Sequence, residues 1–239
     1  LERLAQGPCS GEALAGLLGI GRAAVWKRIA GLRAAGLGIS ATPGVGYSLD
    51  APLDLLDPER IAAAMPPALR RRLPAPEMAW DIDSTQSALA RRTLAEDGAC
   101  LFAERQRQGR GRHGRPWASP LAANLYFSVL HRFDRPMASL GGLSLVAGVA
   151  LAEALRARGF DAVGLKWPND LLAHGRKLGG LLVDLAGESG GPVTAILGVG
   201  LNVRMPAGAA AGIDQAWIDL ASLGAPGSRS DLAAALLAA

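Results

Sequence analysis

The chain has 239 residues, half of them hydrophobic, which excludes an intrinsically disordered protein and allows one large domain or two smaller ones. Its formal net charge of +4 is too small to indicate a partner by itself. Among the 25 cationic side chains only Lys27, Lys166 and Lys177 are lysines, so each lysine is informative.

Cysteine use and hydropathy predict a cytoplasmic protein with no membrane span. Cys9 and Cys100 stand apart and lack the spacing of metal ligands, so we expect two reduced thiols. The longest apolar run, 137–152, is shorter than the roughly 18 residues of a membrane span and predicts a buried helix. Because the chain starts at Leu1 and stops within an Ala-Leu stretch, we expect both ends to be truncated.

Residues 1–50 show the pattern of a winged helix-turn-helix. A helix is predicted from about Ala13 to Leu18, then a tight glycine turn, then a second helix over 22–35. Residues 38–49 predict two short strands around a Pro-Gly turn, which is typical of a wing.

The second of these helices carries the candidate DNA-binding residues. Arg22, Lys27 and Arg28 lie off its apolar face, and the helix contains no acid. Recognition helices of this class enter the major groove, so we expect these three cations to contact DNA. The alternative is a small helical bundle with a solvated basic face.

Residues 51–76, rich in proline and arginine, predict a junction with one short helix over 58–65. The rest of the chain, 77–239, predicts a second domain. Helices are expected over 84–96 and 139–158, and strands over 99–104, 124–130, 163–166, 180–185 and 193–203. Several strands follow each other without a helix between them. An α+β fold with a mixed sheet and packed helices is therefore expected.

The segment Gly109–Arg115 reads GRGRHGR, which is a glycine-rich loop with cationic side chains. Its G-x-G-x-x-G spacing resembles a dinucleotide fingerprint, which requires a hydrophobic strand before the first glycine. Here the polar run 105–108 precedes it and Pro116 follows it, which excludes that interpretation. The loop instead predicts a contact to an anion, with an ordinary solvated turn as the alternative.

Three further motifs carry cations or close-approach backbone. They are KWPND at Lys166–Asp170, RKLGG at Arg176–Gly180 and GVGLN at Gly198–Asn202. Taken singly, Lys166 is equally well explained as a surface lysine, the glycines as a β-bulge and Trp117 as a core residue. Taken together, the motifs indicate a site for two anions, such as a carboxylate and a nucleoside triphosphate.

The sequence offers no competing catalytic pattern. It contains neither G-x-S-x-G nor a P-loop, and His113, His131 and His174 lack metal-ligand spacing. We therefore expect no serine or cysteine nucleophile and no resident metal site.

With these motifs, in this order, the chain resembles the bifunctional biotin protein ligases that also act as biotin operon repressors. RAAVWKRI at Arg22–Ile29 and PGVGYSL at Pro43–Leu49 match as well, so the resemblance covers nearly the whole chain. It implies a class II synthetase-like catalytic domain over 77–239, from which the family's small C-terminal β domain is missing. It also implies an ATP-dependent ligase that forms biotinyl-5'-AMP and transfers biotin to a lysine of a carrier protein.

The resemblance also implies roles for individual residues. Lys177, Lys166 and Arg112 correspond to catalytic residues. Biotin would be bound by Ser84, Thr85, Gln86, Gln106, Arg110, Gly111, Arg112 and Lys177. ATP would be bound by Trp117, Lys166, Asn169 and Asn202.

The implied ligands and partners are biotin, ATP with Mg²⁺, the biotin carboxyl carrier protein, operator DNA and, in the liganded state, a second copy of the chain. Two alternatives are a biotin-sensing repressor whose catalysis is lost or impaired, and a lipoate ligase of related fold.

Overall fold

The computed structural model describes residues 1–92, 95–187, 192–210 and 212–239. The N-terminal part comprises three helices and a two-stranded antiparallel wing. Their bounds are α1 Glu2–Ala5, α2 Gly11–Leu18, α3 Arg22–Ala34, β1 Ile39–Thr42 and β2 Gly46–Leu49. The predicted winged helix-turn-helix is thus confirmed.

Local sequence signals explain these helices. The Ser10 side chain caps α2 by accepting a hydrogen bond from the Ala13 amide at 3.0 Å. Gly19 ends α2 in the left-handed conformation (φ 61°), where glycine carries no Cβ penalty. Val25 and Ile29, one turn apart on α3, are buried, so the opposite face of α3 is left to solvent.

The larger part is built on a mixed sheet whose described strands are β3 Glu77–Ala79, β4 Cys100–Ala103, β5 Leu125–Phe133, β6 Val163–Lys166, β7 Asp170–Ala173, β8 Arg176–Gly187 and β9 Val193–Leu201. Their order in the sheet is β3-β4-β5-β9-β8-β7-β6. Among these strands the β3–β4 pair is parallel and the other neighbouring pairs are antiparallel. The predicted mixed sheet is confirmed, although β3 and β7 were missing from the prediction.

Helices cover the two faces of the sheet unequally. Their bounds are α4 Pro58–Ala64, α5 Pro67–Arg70, α6 Thr85–Ala90, α7 Leu143–Arg156 and α8 Arg229–Leu237. The main core, which includes Leu155, Leu181 and Leu232, lies where α4, α7 and α8 meet one face. On the other face the short helix α6 contacts β4, β5 and β9. Much of that second face remains open for a ligand.

The segment predicted as a junction, 51–76, packs on the larger part. Leu56, Ile61 and Met65 are buried in the main core, and α4 contacts α8. On the N-terminal side, Leu53 and Leu55 pack against the core of the winged helix-turn-helix. The segment therefore contributes to both cores, and a domain boundary near residue 50 stays a prediction.

The long apolar helix differs from its prediction in extent and burial. A 3₁₀ turn over Met137–Leu140 precedes α7, and together they form a 20-residue stretch, Met137–Arg156, long and apolar enough by composition to cross a membrane. In the folded protein Leu151 and Leu155 are buried, whereas Val146 is 67% exposed. The predicted buried helix is therefore buried on one face and exposed on the other.

Candidate functional site

A cleft of about 760 Å³ opens on the face of the sheet that carries α6. Its walls come from α6, the GRGRHGR loop, the ends of β6 and β7, and strands β8 and β9. Every residue predicted to bind biotin or ATP lines this one cleft. They are Ser84, Thr85, Gln86, Gln106, Arg110, Gly111, Arg112, Trp117, Lys166, Asn169, Lys177 and Asn202.

Glycines form the floor of the cleft. Along β9, Val199 and Leu201 pack into the main core, so the alternating positions Gly198 and Gly200 face the cleft. A Cβ on Gly200 would lie 2.5 Å from the ring of Trp117, and one on Gly198 would lie 2.9 Å from Oε1 of Gln86. The register of β9 against both neighbouring strands is continuous, so these glycines do not mark a β-bulge. Because they lack a Cβ, the side chains of Trp117 and Gln86 can lie close to the strand.

One end of the cleft is polar and uncharged. Thr85 and Gln86 are 3% and 4% exposed, at the N-terminus of α6. The Thr85 amide donates to Oε1 of Gln106 at 2.8 Å, and Thr85 Oγ1 lies 2.8 Å from Ser128 Oγ. Nε2 of Gln86 donates to the Leu182 and Ile196 carbonyls. These bonds fix a set of neutral donors and acceptors, suited to a neutral polar ligand group.

The cleft also holds a lysine between a carboxylate and an aromatic ring. Lys177 Nζ lies 2.9 Å from Asp170 Oδ1 and 5.5 Å from the centre of the Trp117 ring. Both charged side chains are about one-fifth exposed. The ammonium is therefore held by an ion pair and a cation–π contact, where a ligand's anion can reach it.

The cations at the rim are exposed and come from separate segments. Arg110 donates to Ser87 Oγ at 3.1 Å and lies 3.8 Å from Asp184, so it links the glycine loop to α6 and β8. Arg112 and Lys166 are exposed. An anion in the cleft would thus meet cations from the glycine loop and from the end of β6.

The two predicted asparagines use their amides to support the site. Asn169 Nδ2 donates to the Leu181 carbonyl at 2.7 Å. Asn202, which is 4% exposed, donates from Nδ2 to the Ile218 carbonyl at 3.1 Å. These bonds tie the ends of β7 and β9 to neighbouring segments, and a nucleotide contact by either residue stays a prediction.

Sequence reasoning missed Ser128 and Asp170. Asp170 belongs to the KWPND motif that the sequence analysis identified. Its ion pair with Lys177 could not be predicted, because it depends on the pairing of β7 with β8. Ser128 was detectable only as a small polar residue within an apolar strand, and it is fully buried beside Thr85. The segment 212–217, which includes Trp217, also lines the cleft, and no sequence motif predicted this.

One carboxylate beside the site has a strongly shifted pKa. The ion pair with Arg91, followed by the Ser84 amide, lowers the pKa of Asp83 from 3.8 to about 2. Asp83 immediately precedes Ser84, whose hydroxyl caps α6 by accepting from the Ser87 amide at 3.4 Å. A permanent charge at this helix N-terminus stabilises the segment that carries Thr85 and Gln86.

The predicted DNA contacts lie apart from the cleft residues in sequence. Arg22, Lys27 and Arg28 are all exposed on α3. Their helix has Gly21 as its N-cap and no acid in its first turn. The arrangement leaves the N-terminal half of α3 cationic and open.

Comparisons with known proteins agree with this geometry. Residues 80–202 match the biotin/lipoate A/B protein ligase family, and residues 1–48 match an HTH domain. The chain is 43% identical over 230 residues to the bifunctional ligase/repressor BirA of Salmonella typhimurium, and 42% identical to that of Escherichia coli. Each match covers 95% of this chain and 70% of the relative.

Solved structures give the same result. A biotin protein ligase from Aquifex aeolicus in complex with biotin and ATP aligns with a TM-score of 0.57 and 31% identity, covering 68% of this chain and 66% of that one. The Leishmania major enzyme in complex with biotinyl-5-AMP aligns with a TM-score of 0.54 and 25% identity, covering 67% and 71%. By the extent of these matches, the chain belongs to the biotin/lipoate A/B protein ligase family and carries an HTH domain at its N-terminus.

Proposed function

We propose that the protein is an ATP-dependent biotin–protein ligase that also acts as a biotin-responsive repressor. The single observation that carries the ligase function is the composition of the cleft. Fixed neutral donors and acceptors line the same cleft as Lys177, and exposed arginines lie at its rim. Such a cleft can hold one molecule with a neutral polar head and a carboxylate, and bring that carboxylate to a phosphate.

The neutral end suits the ring system of biotin. The urea group of biotin is uncharged and carries both hydrogen-bond donors and acceptors. The side chains of Thr85, Gln106 and Ser128 are uncharged donors and acceptors as well. Because the Gln86 amide is held by two carbonyls, the side chain keeps a fixed orientation above Gly198. A preformed set of partners lowers the ordering cost of binding.

The cations of the cleft suit the first chemical step. A carboxylate oxygen of biotin attacks the α-phosphorus of ATP, the bond to the β-phosphate bridge oxygen breaks, and pyrophosphate leaves with biotinyl-5'-AMP remaining. The two reactants repel each other, so cations must offset the charge that builds up between them. We assign that work to Lys177, with Lys166 and Arg112 entering from the rim.

The glycine loop has a protective role in this proposal. The contacts of Arg110 with Ser87 and Asp184, which link the loop to α6 and β8, support a loop that closes over the cleft. The acyl-phosphate anhydride is reactive toward water, so a closed loop prolongs its life. Trp117, lying on the glycine floor, offers a flat surface on which the adenine base can stack.

In the second step the ε-amine of a carrier-protein lysine attacks the acyl carbon of the adenylate. An amide bond forms, AMP leaves, and the amine proton is released. Mg²⁺ would arrive with the nucleotide, where it neutralises phosphate charge. Within the described residues no group of three His, Cys, Asp or Glu side chains forms a metal cluster.

The N-terminal domain supports the second activity. An acid-free cationic helix followed by a wing matches the geometry in which α3 enters a major groove, with Arg22, Lys27 and Arg28 at the phosphates or bases. We further propose that the liganded protein is a homodimer and that it is located in the cytoplasm. We also propose that residues 1–50 form a DNA-binding domain and residues 77–239 a catalytic domain.

The test is a biotin-dependent exchange of labelled pyrophosphate into ATP by the purified chain. Exchange is expected with biotin and not with lipoate, and it should fall at least about a hundredfold in Lys177→Ala, as when a transition-state donor is removed. Exchange with lipoate alone would instead indicate a lipoate ligase. Biotin binding by calorimetry without any exchange would indicate a sensor that has lost catalysis.

A further inference from the structure

The recognition helix exposes an aromatic residue that the charge pattern does not explain. Trp26 on α3 is 64% exposed. A tryptophan is costly to leave in water because its indole ring is large and mostly apolar. The buried side chains that α3 supplies to the described core of this domain are Val25 and Ile29, and Trp26 has no part in that packing.

The position of Trp26 in the helix points to the partner. It lies one turn after Arg22 and directly before Lys27, within the N-terminal half of α3. In helix-turn-helix proteins the first turns of the second helix meet the base edges in the major groove. The flanking cations attract a polyanion and therefore favour DNA over an uncharged protein surface.

The other exposed side chains in this half of the helix divide into two kinds. Arg22, Lys27 and Arg28 carry charge, whereas Ala23 and Ala24 carry no polar group. Charged contacts to phosphates position a protein without reading the sequence. An indole has one N–H donor and an apolar edge, which fit a purine N7 or thymine O4 acceptor and a thymine methyl group.

We propose that Trp26 is a specificity-determining residue that reads one base step in the operator, through its Nε1–H and the edge of its ring. This inference rests on the proposed DNA-binding function and assigns a role within it. The indole contributes selectivity at that base step. The neighbouring cations contribute affinity through phosphates and, where one of them meets a guanine, selectivity at a different position.

The experiment selects binding sites from a random-sequence duplex library with the full chain, biotin and ATP, and repeats the selection with Trp26→Ala and Trp26→Phe. Against the site chosen by the wild type, Trp26→Ala should bind about tenfold more weakly, the size expected for loss of a base contact. Its selected sites should lose the preference at one or two adjacent positions. Trp26→Phe, which keeps an apolar ring and lacks the donor, should relax the preference in part.

Salt dependence separates this role from a phosphate contact. Trp26→Ala should leave the slope of log Kd against log salt unchanged, whereas Lys27→Ala should reduce it by about 0.9. Leu17→Ala, a substitution at a 66% exposed residue on α2, serves as the matched apolar control. It should retain the wild-type site preference, and melting curves should show that all variants are folded.

Two results would overturn the inference. If the wild type selects a defined site and Trp26→Ala selects the same one, Trp26 does not read sequence. If Trp26→Ala weakens binding equally on selected and random duplexes, the residue acts on general affinity. A wild-type chain that binds no duplex even at low salt would instead overturn the DNA-binding function itself.

Discussion

Lys177 and Asp170 form an ion pair of 2.9 Å inside a cleft whose other charged lining residues are mostly cations. A carboxylate in a site for two anions repels them and weakens their binding. The presence of Asp170 is therefore explained only by a second role. The geometry indicates one: Asp170 holds the ammonium in place beneath the Trp117 ring. The lysine is then already oriented when the substrates arrive.

The first prediction concerns this pair. Asp170→Asn keeps the shape of the side chain and removes its charge, so Lys177 loses its anchor. We expect biotin-dependent pyrophosphate exchange to fall about ten- to hundredfold in kcat, since small misplacements of catalytic groups have effects of that size. Asp161→Asn, at an exposed residue before β6, is the control. A rate equal to wild type would show that Lys177 needs no positioning.

The second prediction concerns the glycine floor. Gly200→Ala places a methyl group where the Trp117 ring now lies, so the ring must move off the sheet. We expect weaker ATP binding by calorimetry and little change in biotin binding. Gly164→Ala is the matched control, because a Cβ on that strand glycine meets nothing within 4 Å. Unchanged ATP affinity in Gly200→Ala would remove Trp117 from the nucleotide site.

The third prediction concerns the loop over the cleft. Arg112→Gly removes an exposed guanidinium and adds backbone freedom, so the loop should close less well over biotinyl-5'-AMP. We expect the adenylate to form more slowly and, once formed, to escape, which rapid filtration of labelled product will detect as a faster release rate. Arg135→Gly, at an exposed residue outside the cleft lining, should behave as wild type. Retention equal to wild type would contradict a lid function.

The fourth prediction is a pH dependence. Because Asp83 has a lowered pKa of about 2 in the folded protein, its stabilising contribution is complete above the ordinary pKa of 3.8 and is lost as pH falls toward 2. Asp83→Asn should therefore lower the urea midpoint at pH 6, with the difference from wild type narrowing below pH 4. A difference that stays constant between pH 6 and pH 3 would disprove the linkage.

The fifth prediction concerns a buried ion pair outside the cleft lining. Arg229 and Glu104 lie 2.8 Å apart with side chains 3% and 0% exposed, and Glu104 also accepts from the Leu56 amide. Glu104→Gln leaves Arg229 buried without a counter-charge, so we expect a loss of about 3–5 kcal/mol in the free energy of unfolding. The exposed pair Arg60–Asp231 gives the comparison, and Arg60→Ala should change stability far less.

Much of the fold follows from local pattern. The capping serine before α2, the spacing of Val25 and Ile29, and the apolar strands that form β5 and β9 predict elements close to those observed. The predictions failed where the local sequence pattern carries no signal of a strand or of a helix end. The strand β3 has only three residues, and β7 begins at Asp170, inside the KWPND motif, which follows the predicted end of the preceding strand. The predicted helix 84–96 is described as helix only over Thr85–Ala90, and residues 93–94 lie outside the described part.

The sequence by itself determined which chemistry is available. The glycine loop, KWPND, RKLGG and GVGLN name the cations and glycines of the site, because close backbone approach and anion binding require those residue types. Tertiary structure alone decided their arrangement. Gly200 lies under Trp117, and Asp170 meets Lys177, only when β7, β8 and β9 pair in their observed registers. Registers depend on long-range packing against α7 and α8, which no local pattern encodes.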